Sequence, residues 1–275
     1  MTARTNTCGK SEGRLDISET RDWNYMLTVD HLRKRLPGGK LLLRDINFSV
    51  GEGEFVAILG LSGTGKTILL RCINRLTTPD GGEIVLTDNG NPLNITQSDA
   101  GEIREVRRRI GMIFQSFNLV KRRSVIENVL IGKLGRIGMV RSLMCRFADD
   151  DIEMAHRALN RVGISDLADR RAGTLSGGEQ QRVAIARSIV QDPCLLLADE
   201  PVANLDPTTA EVVMEHLRSI SVGNGISTLA VLHQPELARR YATRVLGVRD
   251  GVIVYDGDAR LSDDDFEVIY GCNDV

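Results

Sequence analysis

Residues 60 to 67 read Gly-Leu-Ser-Gly-Thr-Gly-Lys-Thr, three glycines ahead of a lysine and a hydroxyl side chain. They match the pattern G-x-x-x-x-G-K-[ST] between an apolar run typical of a buried strand and a segment with helical spacing. In such a loop the backbone amides turn inward, the lysine can reach the β and γ phosphates, and the hydroxyl can ligate Mg²⁺. The alternative interpretation is a structural glycine turn. The predicted nucleotide-binding residues are Gly60, Leu61, Ser62, Gly63, Thr64, Gly65, Lys66 and Thr67.

The acid pair Asp199 and Glu200 follows the apolar segment 194–198. If that segment is a strand of the same sheet, Asp199 emerges at its carboxyl edge, beside the phosphate loop, and can hold Mg²⁺ through water. Glu200 is placed to orient, or accept a proton from, the water that attacks a γ-phosphate. An acid pair at a strand end is otherwise explained by loop solvation. Its combination with a phosphate loop favours the catalytic interpretation.

The segment 175–182 reads Leu-Ser-Gly-Gly-Glu-Gln-Gln-Arg and opens a predicted helix. Ser176 with the amides of Gly177 and Gly178 therefore forms a second anion site of the same physical kind as the phosphate loop. This segment resembles the signature sequence of ATP-binding cassette (ABC) ATPases. The resemblance implies ATP and Mg²⁺ as ligands and a head-to-tail homodimer, in which the signature of one copy closes over the ATP held by the other.

Three further residues resemble ABC motifs and occur along the chain in the order that the family shows. Gln115 resembles the glutamine that senses Mg²⁺ and water, Asp206 resembles the acid at the dimer contact, and His233 resembles the histidine at the γ-phosphate. The resemblance thus implies catalytic roles for Lys66, Gln115, Glu200 and His233, and Mg²⁺ contacts for Thr67, Gln115 and Asp199. At the position where many relatives stack an aromatic ring on adenine, this chain carries Leu36, which offers dispersion contact without π stacking.

The segments that carry these motifs alternate between predicted strands and predicted helices. The motifs and patterns indicate an α/β P-loop fold of the ABC type, with a mainly parallel core sheet, an antiparallel β layer signalled by Asn89-Gly90, and an inserted helical lobe at about 120–173. We expect a polar extension at 1–25, the ATPase domain at 26–260 and a tail at 261–275. The expected strands are 26–30, 46–50, 54–60, 83–88, a segment near 93, 110–115, 194–198, 226–232 and 244–248; the expected helices are 66–76, 124–134, 149–162, 177–190 and 207–221.

Composition excludes several classes of protein. The 275 residues include 35 Lys and Arg against 37 Asp and Glu, so a net charge of −2 excludes a globally basic nucleic-acid binder. With 6 Phe, 4 Tyr and 1 Trp, the core must be mainly aliphatic. The apolar runs are too short to cross a bilayer. The cysteines form no C-x-x-C pair, which favours a reducing cytoplasm over a zinc site or disulfide framework; they are Cys8, Cys72, Cys145, Cys194 and Cys272.

Features absent from the sequence favour an importer subunit among the classes of ABC ATPase. About 110 residues separate Lys66 from Ser176, enough for the compact lobe of an importer subunit but not for a long coiled coil or zinc insert. The segment 114–136, followed by Arg141-Ser-Leu, resembles the phosphonate-importer ATPases, whose counterparts read FNLV-x-R-x-SV-x-x-NVL-x-G-x-LGR. Cargo remains open among phosphonate, phosphite, phosphate and another small solute such as a polar amino acid. A soluble ABC ATPase acting on nucleic acid or ribosomes and a P-loop small-molecule kinase are the alternatives of other classes.

The importer resemblance implies particular partners and a location. These are a second copy of the chain, integral-membrane permease subunits docking at about 116–136, and, indirectly, a periplasmic or extracellular solute-binding protein, with no nucleic acid. The location implied is peripheral, on the cytoplasmic face of the inner (plasma) membrane. The basic run 121–123 suits docking to an acidic partner or to anionic lipid headgroups, but a solvated charge run is the favoured interpretation. The same interpretation applies to Arg104, Arg107, Arg108 and Arg109, on an exposed face of a short predicted helix.

Overall fold

The computed structural model describes residues 25–138, 144 and 146–271, in which strands and helices alternate. The strands are β1 Leu27–Arg35, β2 Leu41–Val50, β3 Phe55–Leu59, β4 Gly81–Asp88, β5 Asn91–Asn94, β6 Ile110–Ile113, β7 Leu195–Asp199, β8 Ser227–Val231, β9 Arg244–Arg249 and β10 Val252–Asp258. The helices are α1 Lys66–Ile73, α2 Ala100–Arg109, α3 Val125–Leu130, α4 Asp149–Arg161, α5 Gly177–Ile189, α6 Pro207–Asn224, α7 Pro235–Tyr241 and α8 Asp263–Tyr270, with 3₁₀ turns at Ile131–Lys133, Ser165–Leu167 and Ala172–Thr174. Within these residues, no helix combines the length and the apolar character needed to span a bilayer.

The strands form one sheet in the order β5-β4-β1-β2-β10-β9-β3-β8-β7-β6. The five strands from β9 to β6 pair in parallel, whereas β1, β2, β4 and β5 pair antiparallel. Strand β10 joins the two parts, antiparallel to β9 and parallel to β2. The Asn89-Gly90 turn connects β4 to β5 with both residues at positive φ, as a tight hairpin requires. The prediction of a parallel core with an antiparallel layer is confirmed.

Helices cover both faces of the parallel strands, which is why these strands are continuous apolar runs. In β3 the side chains of Phe55, Ala57 and Leu59 join the cluster on one face, and those of Val56 and Ile58 join the cluster on the other. All five are fully buried. A short run buried on both sides is the expected appearance of a parallel strand. This rigid layer carries the loops at its carboxyl edge.

The helical lobe inserts between β6 and α5, as predicted. Its first helix, expected at 124–134, is shorter: α3 ends at Leu130 and continues as the 3₁₀ turn Ile131–Lys133. Ser124 caps α3 in a reciprocal capping box with Glu127. The turn passes close to α5, because a Cβ on Gly132 would lie 2.2 Å from the Arg187 carbonyl oxygen. The predicted Arg141-Ser-Leu match and the extension over residues 1–24 lie outside the described residues.

Several predicted boundaries differ from the structure for local reasons. Strands β1 and β2 are longer than 26–30 and 46–50, because they continue past the register shifts in their ladder. Helix α1 ends at Ile73, three residues before its predicted end at Leu76, and Arg75 adopts a positive φ of 51° just beyond it. An isolated positive φ in a non-glycine residue interrupts helical geometry.

The C-terminal segment, expected to be a tail from residue 261, contains helix α8. Ser262 caps this helix in a capping box with Asp265, and the acidic residues 263–265 lie in its first turn, where the helix dipole favours negative charge. Ile269 is fully buried against β9, where a Cβ on Gly247 would lie 2.5 Å from its Cγ1 atom. Residues 263–270 therefore belong to the packed domain.

Replacing Ile269 tests whether α8 stabilises the domain. We expect Ile269→Ala to lower the free energy of unfolding by about 2–5 kcal/mol, because it leaves a cavity on the sheet. The neighbouring variant Val268→Ala is the control, since Val268 is 41% exposed, and we expect it to change stability by less than about 0.5 kcal/mol. Urea unfolding of both variants measures the difference. Equal, small effects would contradict a packed role for α8.

Candidate active site

The candidate site lies at the carboxyl edge of the parallel strands. Strands β3, β8, β7 and β6 are neighbours in this order, and each ends shortly before a predicted site residue. The phosphate loop follows β3, His233 follows β8, Asp199 and Glu200 end and follow β7, and Gln115 follows β6. Parallel strands present their carboxyl ends at one edge, which explains the convergence of residues far apart in sequence.

The phosphate loop is shaped by three glycines at positive φ: 143° at Gly60, 81° at Gly63 and 103° at Gly65. A Cβ on Gly60 would lie 2.1 Å from the Val248 carbonyl oxygen, so only glycine fits there. Helix α1 then begins at Lys66, which leaves its first amides directed toward the loop. The loop therefore has the shape that the predicted anion site requires.

Lys66 reaches back over this cradle. Its side chain is only 5% exposed, and its ammonium donates to the carbonyl oxygens of Gly60, at 2.7 Å, and Leu61, at 2.8 Å. Burial lowers the pKa of the ammonium, while the nearby carboxylates of Glu200 and Asp199 act in the opposite direction. The cation is thus held at the loop by neutral carbonyl partners, which negatively charged phosphate oxygens can replace.

Thr67 and Asp199 meet below the loop. The Thr67 hydroxyl donates to Asp199 Oδ1 at 2.8 Å, and Asp199 is 4% exposed. Burial raises the pKa of Asp199, and the hydrogen bond from Thr67 partly opposes this shift. A hydroxyl and a carboxylate side by side are the oxygen donors that Mg²⁺ prefers, so this pair fits the predicted metal site.

Glu200 is held between two side chains from neighbouring strands. Gln115 Nε2 donates to its Oε2 atom at 2.7 Å, and His233 Nε2 lies 2.6 Å from its Oε1 atom. Glu200 itself has a φ of 50°, in the left-handed region that non-glycine residues seldom adopt. Residues in such a conformation persist only where surrounding contacts hold them, and they cluster at active sites. The structure thus unites three of the four predicted catalytic residues directly.

The signature segment forms a separate surface at the start of α5. Ser176 caps the helix by accepting from the Glu179 amide, and Glu179 accepts from the Ser176 amide at 2.7 Å. Ser176 and Gly177 are exposed, whereas Gly178 is buried. Gly178 packs against α6 so closely that an added Cβ would lie 2.2 Å from Thr209 Cγ2. The hydrogen bonds of Ser176 run to its own helix rather than to the Lys66 cradle. The two predicted anion sites thus lie on separate surfaces of the chain.

Two other predicted binding residues have local structural partners. Asp206 caps α6 by accepting from the Thr209 amide at 3.0 Å, and the Thr209 hydrogen bonds lower the pKa of this carboxyl. Leu36 is half-buried in the turn between β1 and β2, where its amide donates to the Lys40 carbonyl oxygen at 2.9 Å. The roles expected of Asp206 at a dimer contact and of Leu36 at adenine stay predictions.

Sequence reasoning missed one residue that touches this region. Arg187 lies on α5 within the apolar segment Val-Ala-Ile-Ala-Arg-Ser-Ile and donates to the backbone just after Gln115. A single cation in an otherwise buried helical stretch is the signal that identifies it, because a buried charge needs partners.

Comparisons with known proteins agree with this fold and geometry. A protein-family model described as ABC transporter matches residues 43–203. The phosphonates import ATP-binding protein PhnC of Shouchella clausii (strain KSM-K16) is 47% identical over 247 residues, 90% of this chain and 91% of that protein. The protein of the same name from Nitratidesulfovibrio vulgaris (Hildenborough) is 45% identical over 246 residues, 89% of this chain and 91% of that protein.

Solved structures show the same architecture. CbiO1 from Clostridium perfringens, part of the ABC transporter complex cbiONQ, superposes with a TM-score of 0.74 at 30% identity, covering 86% of this chain and 90% of that one. The ATP-binding cassette MJ0796, solved as a dimer in a post-hydrolysis state with ADP and phosphate, superposes with a TM-score of 0.72 at 29% identity, covering 86% and 100%.

A P-loop ATPase cassette is therefore the class that the sheet, the phosphate loop and the acid pair define. The chain belongs to the ABC transporter family, as a subunit that binds and hydrolyses ATP. Cassettes of this family work as dimers with membrane permease components, and such import subunits are peripheral to the membrane.

Proposed function

We propose that this chain is the ATPase of an importer for phosphonate or a related phosphorus oxyanion, such as phosphite or phosphate. The observation that carries the proposal is its similarity to proteins named for phosphonate import, at 43–47% identity over 86–90% of this chain. In this role it lies on the cytoplasmic face of the inner membrane and serves a separate permease, to which a solute-binding protein delivers cargo.

ATP hydrolysis is assigned to the residues at the sheet edge. The loop amides and Lys66 bind the phosphates of ATP. Three residues, Thr67, Gln115 and Asp199, would hold Mg²⁺. When bound, this ion would neutralise charge on the β and γ phosphates. Glu200 orients the attacking water and accepts its proton, and its two hydrogen-bond neighbours fix the direction of its carboxylate.

A homodimer completes each site. Ser176 and Gly177 are exposed at the start of α5, so their amide-rich surface is available to the γ-phosphate held by a second copy. Two copies related by a two-fold axis exchange these surfaces reciprocally, and give two composite sites. Asp206 is assigned to the contact between the copies, and Leu36 to one face of the adenine.

The permease is assigned to the cleft between the lobe and the core. This cleft has a volume of about 720 Å³ and combines apolar side chains with guanidinium groups. Val120, in the predicted docking segment 116–136, is 46% exposed. Such a surface suits a short amphipathic helix that carries carboxylates. The apolar lining residues include Phe114, Ile131, Leu134 and Ile137, and the cationic ones are Arg104, Arg107, Arg108, Arg136 and Arg187.

Reconstitution with its cognate permease and solute-binding protein tests the cargo. We expect methylphosphonate, phosphite or phosphate to stimulate ATP turnover in proteoliposomes, because closure of the cassettes is coupled to a loaded binding protein. Glutamate is the control solute. Stimulation by glutamate alone would overturn the phosphorus assignment and leave the ATPase assignment intact, whereas stimulation of the isolated chain by DNA or ribosomes would overturn the importer assignment.

A further inference from the structure

The backbone just after Gln115 makes an unusual turn. Phe117 and Asn118 are consecutive non-glycine residues at positive φ, 57° and 52°. L-residues avoid this conformation because the Cβ approaches the following carbonyl oxygen, so two in succession require external support. The turn starts two residues after Gln115, the side chain that contacts Glu200.

Arg187 supplies this support from α5. Its Nη2 donates to the Phe117 carbonyl oxygen and its Nη1 donates to the Asn118 carbonyl oxygen, each at 2.7 Å. The planar guanidinium thus clamps two adjacent carbonyl groups with parallel hydrogen bonds, a geometry that the single ammonium of lysine cannot reproduce. Burial lowers the pKa of this guanidinium, and the two carbonyl oxygens replace part of the water it loses.

Neighbouring contacts make this clamp rigid. Gly132 packs directly on the Arg187 backbone, because a Cβ added to Gly132 would lie 2.2 Å from the Arg187 carbonyl oxygen. Fully buried Asn128 accepts from the Val120 amide at 2.7 Å and donates to the Val120 carbonyl oxygen at 3.1 Å. The segment 117–120 is therefore held at one end by the signature helix and at the other by the lobe.

We propose that Arg187 is a positioning residue for ATP hydrolysis, which clamps the 117–118 turn and thereby holds Gln115 against Glu200. Because Arg187 lies on the helix that begins at Ser176, any displacement of that helix moves the turn and Gln115 with it. The signature surface and the glutamine then respond together when a second copy closes over ATP. This inference rests on the proposed role of Gln115 in hydrolysis.

The test uses the full chain with Arg187→Lys and Arg187→Gln. Arg157→Gln is the matched control, because Arg157 is an arginine on the exposed face of the lobe helix α4, with a side chain that is 60% exposed. Two readouts are combined: hydrogen–deuterium exchange of the amides of residues 115–120 without nucleotide, and steady-state kcat and KM for ATP with Mg²⁺.

We expect both Arg187 variants to exchange faster at residues 115–120 than the parent, with the rest of the sheet unchanged. We also expect kcat to fall about tenfold while KM for ATP changes less than about twofold, because the phosphate loop is untouched. Arg157→Gln should match the parent in both readouts. If Arg187→Gln does not fold, Arg187→Lys carries the test, since it keeps the charge and the stem.

Unchanged exchange at residues 115–120 in the folded variants would overturn the proposal. So would faster exchange throughout the domain with kcat and KM altered together, since that pattern marks a purely structural role. Gln115→Ala, measured in parallel, separates the two claims. If Gln115→Ala keeps the parental kcat, the role proposed for Gln115 fails, and local exchange still decides whether Arg187 holds the turn.

Discussion

Glu200→Gln is expected to lower the ATP turnover number by about 10²–10⁴-fold, the usual contribution of a general base. The amide keeps the size of the carboxylate and one hydrogen-bond acceptor between Gln115 and His233, but it cannot take a proton from water. ATP binding should persist because the phosphate loop and Lys66 are unaltered. Without hydrolysis to reopen the dimer, the variant should elute as an ATP-bound dimer in size-exclusion chromatography.

Glu211→Gln is the control, because it makes the same glutamate-to-glutamine change away from the candidate active site. Glu211 lies on α6, is half exposed and pairs with Arg240 on α7. We expect this variant to turn over ATP within about twofold of the parent, since exposed ion pairs contribute little. Parental turnover by Glu200→Gln would refute the role assigned to Glu200. A monomer that still binds ATP tightly would instead refute the link between hydrolysis and dimer release.

Lys66→Ala is expected to weaken ATP binding strongly. Removing the buried ammonium deletes the charge that meets the phosphates and leaves the Gly60 and Leu61 carbonyl groups without their donor. We expect the Kd for ATP to rise about 10–100-fold, the equivalent of one or two hydrogen bonds to a charged group. Isothermal titration calorimetry with and without Mg²⁺ measures the change.

Arg260→Ala serves as the control for Lys66→Ala, because Arg260 is a long cation with 93% of its side chain exposed. Its Kd for ATP should equal that of the parent. An unchanged Kd together with parental turnover in Lys66→Ala would show that the phosphates bind elsewhere. Unchanged affinity combined with lost turnover would instead assign Lys66 to the transition state alone.

The general fold could be predicted because its signals are local and periodic. The apolar run of β3, the glycines of the loop and the Asn89-Gly90 turn each specify their own structure through burial or backbone sterics. Helix α8 was missed since its acidic start resembles a solvated tail. The burial of Ile269 depends on the space above Gly247, which only the folded sheet creates.

The types of the site residues could be predicted, but their contacts could not. Sequence motifs placed Gln115, Glu200 and His233 at the ends of separate strands, and strand order then determined that they meet. The positive φ of Glu200 and the clamp by Arg187 are long-range effects. A left-handed glutamate has no sequence signature, because the contacts that stabilise it come from other elements.

If ATP is hydrolysed in a site shared between two copies of the chain, two differently damaged copies should restore activity when they are mixed. Glu200→Gln removes the base of one half-site, and Ser176→Arg blocks the signature of the other, so neither variant alone forms a complete site. When equal amounts of the two variants exchange subunits at random, about half of the dimers are mixed, and each mixed dimer has one intact site. We therefore expect the mixture to recover up to about one quarter of the parental ATP turnover. A mixture no faster than the sum of the separate variants would contradict the shared site.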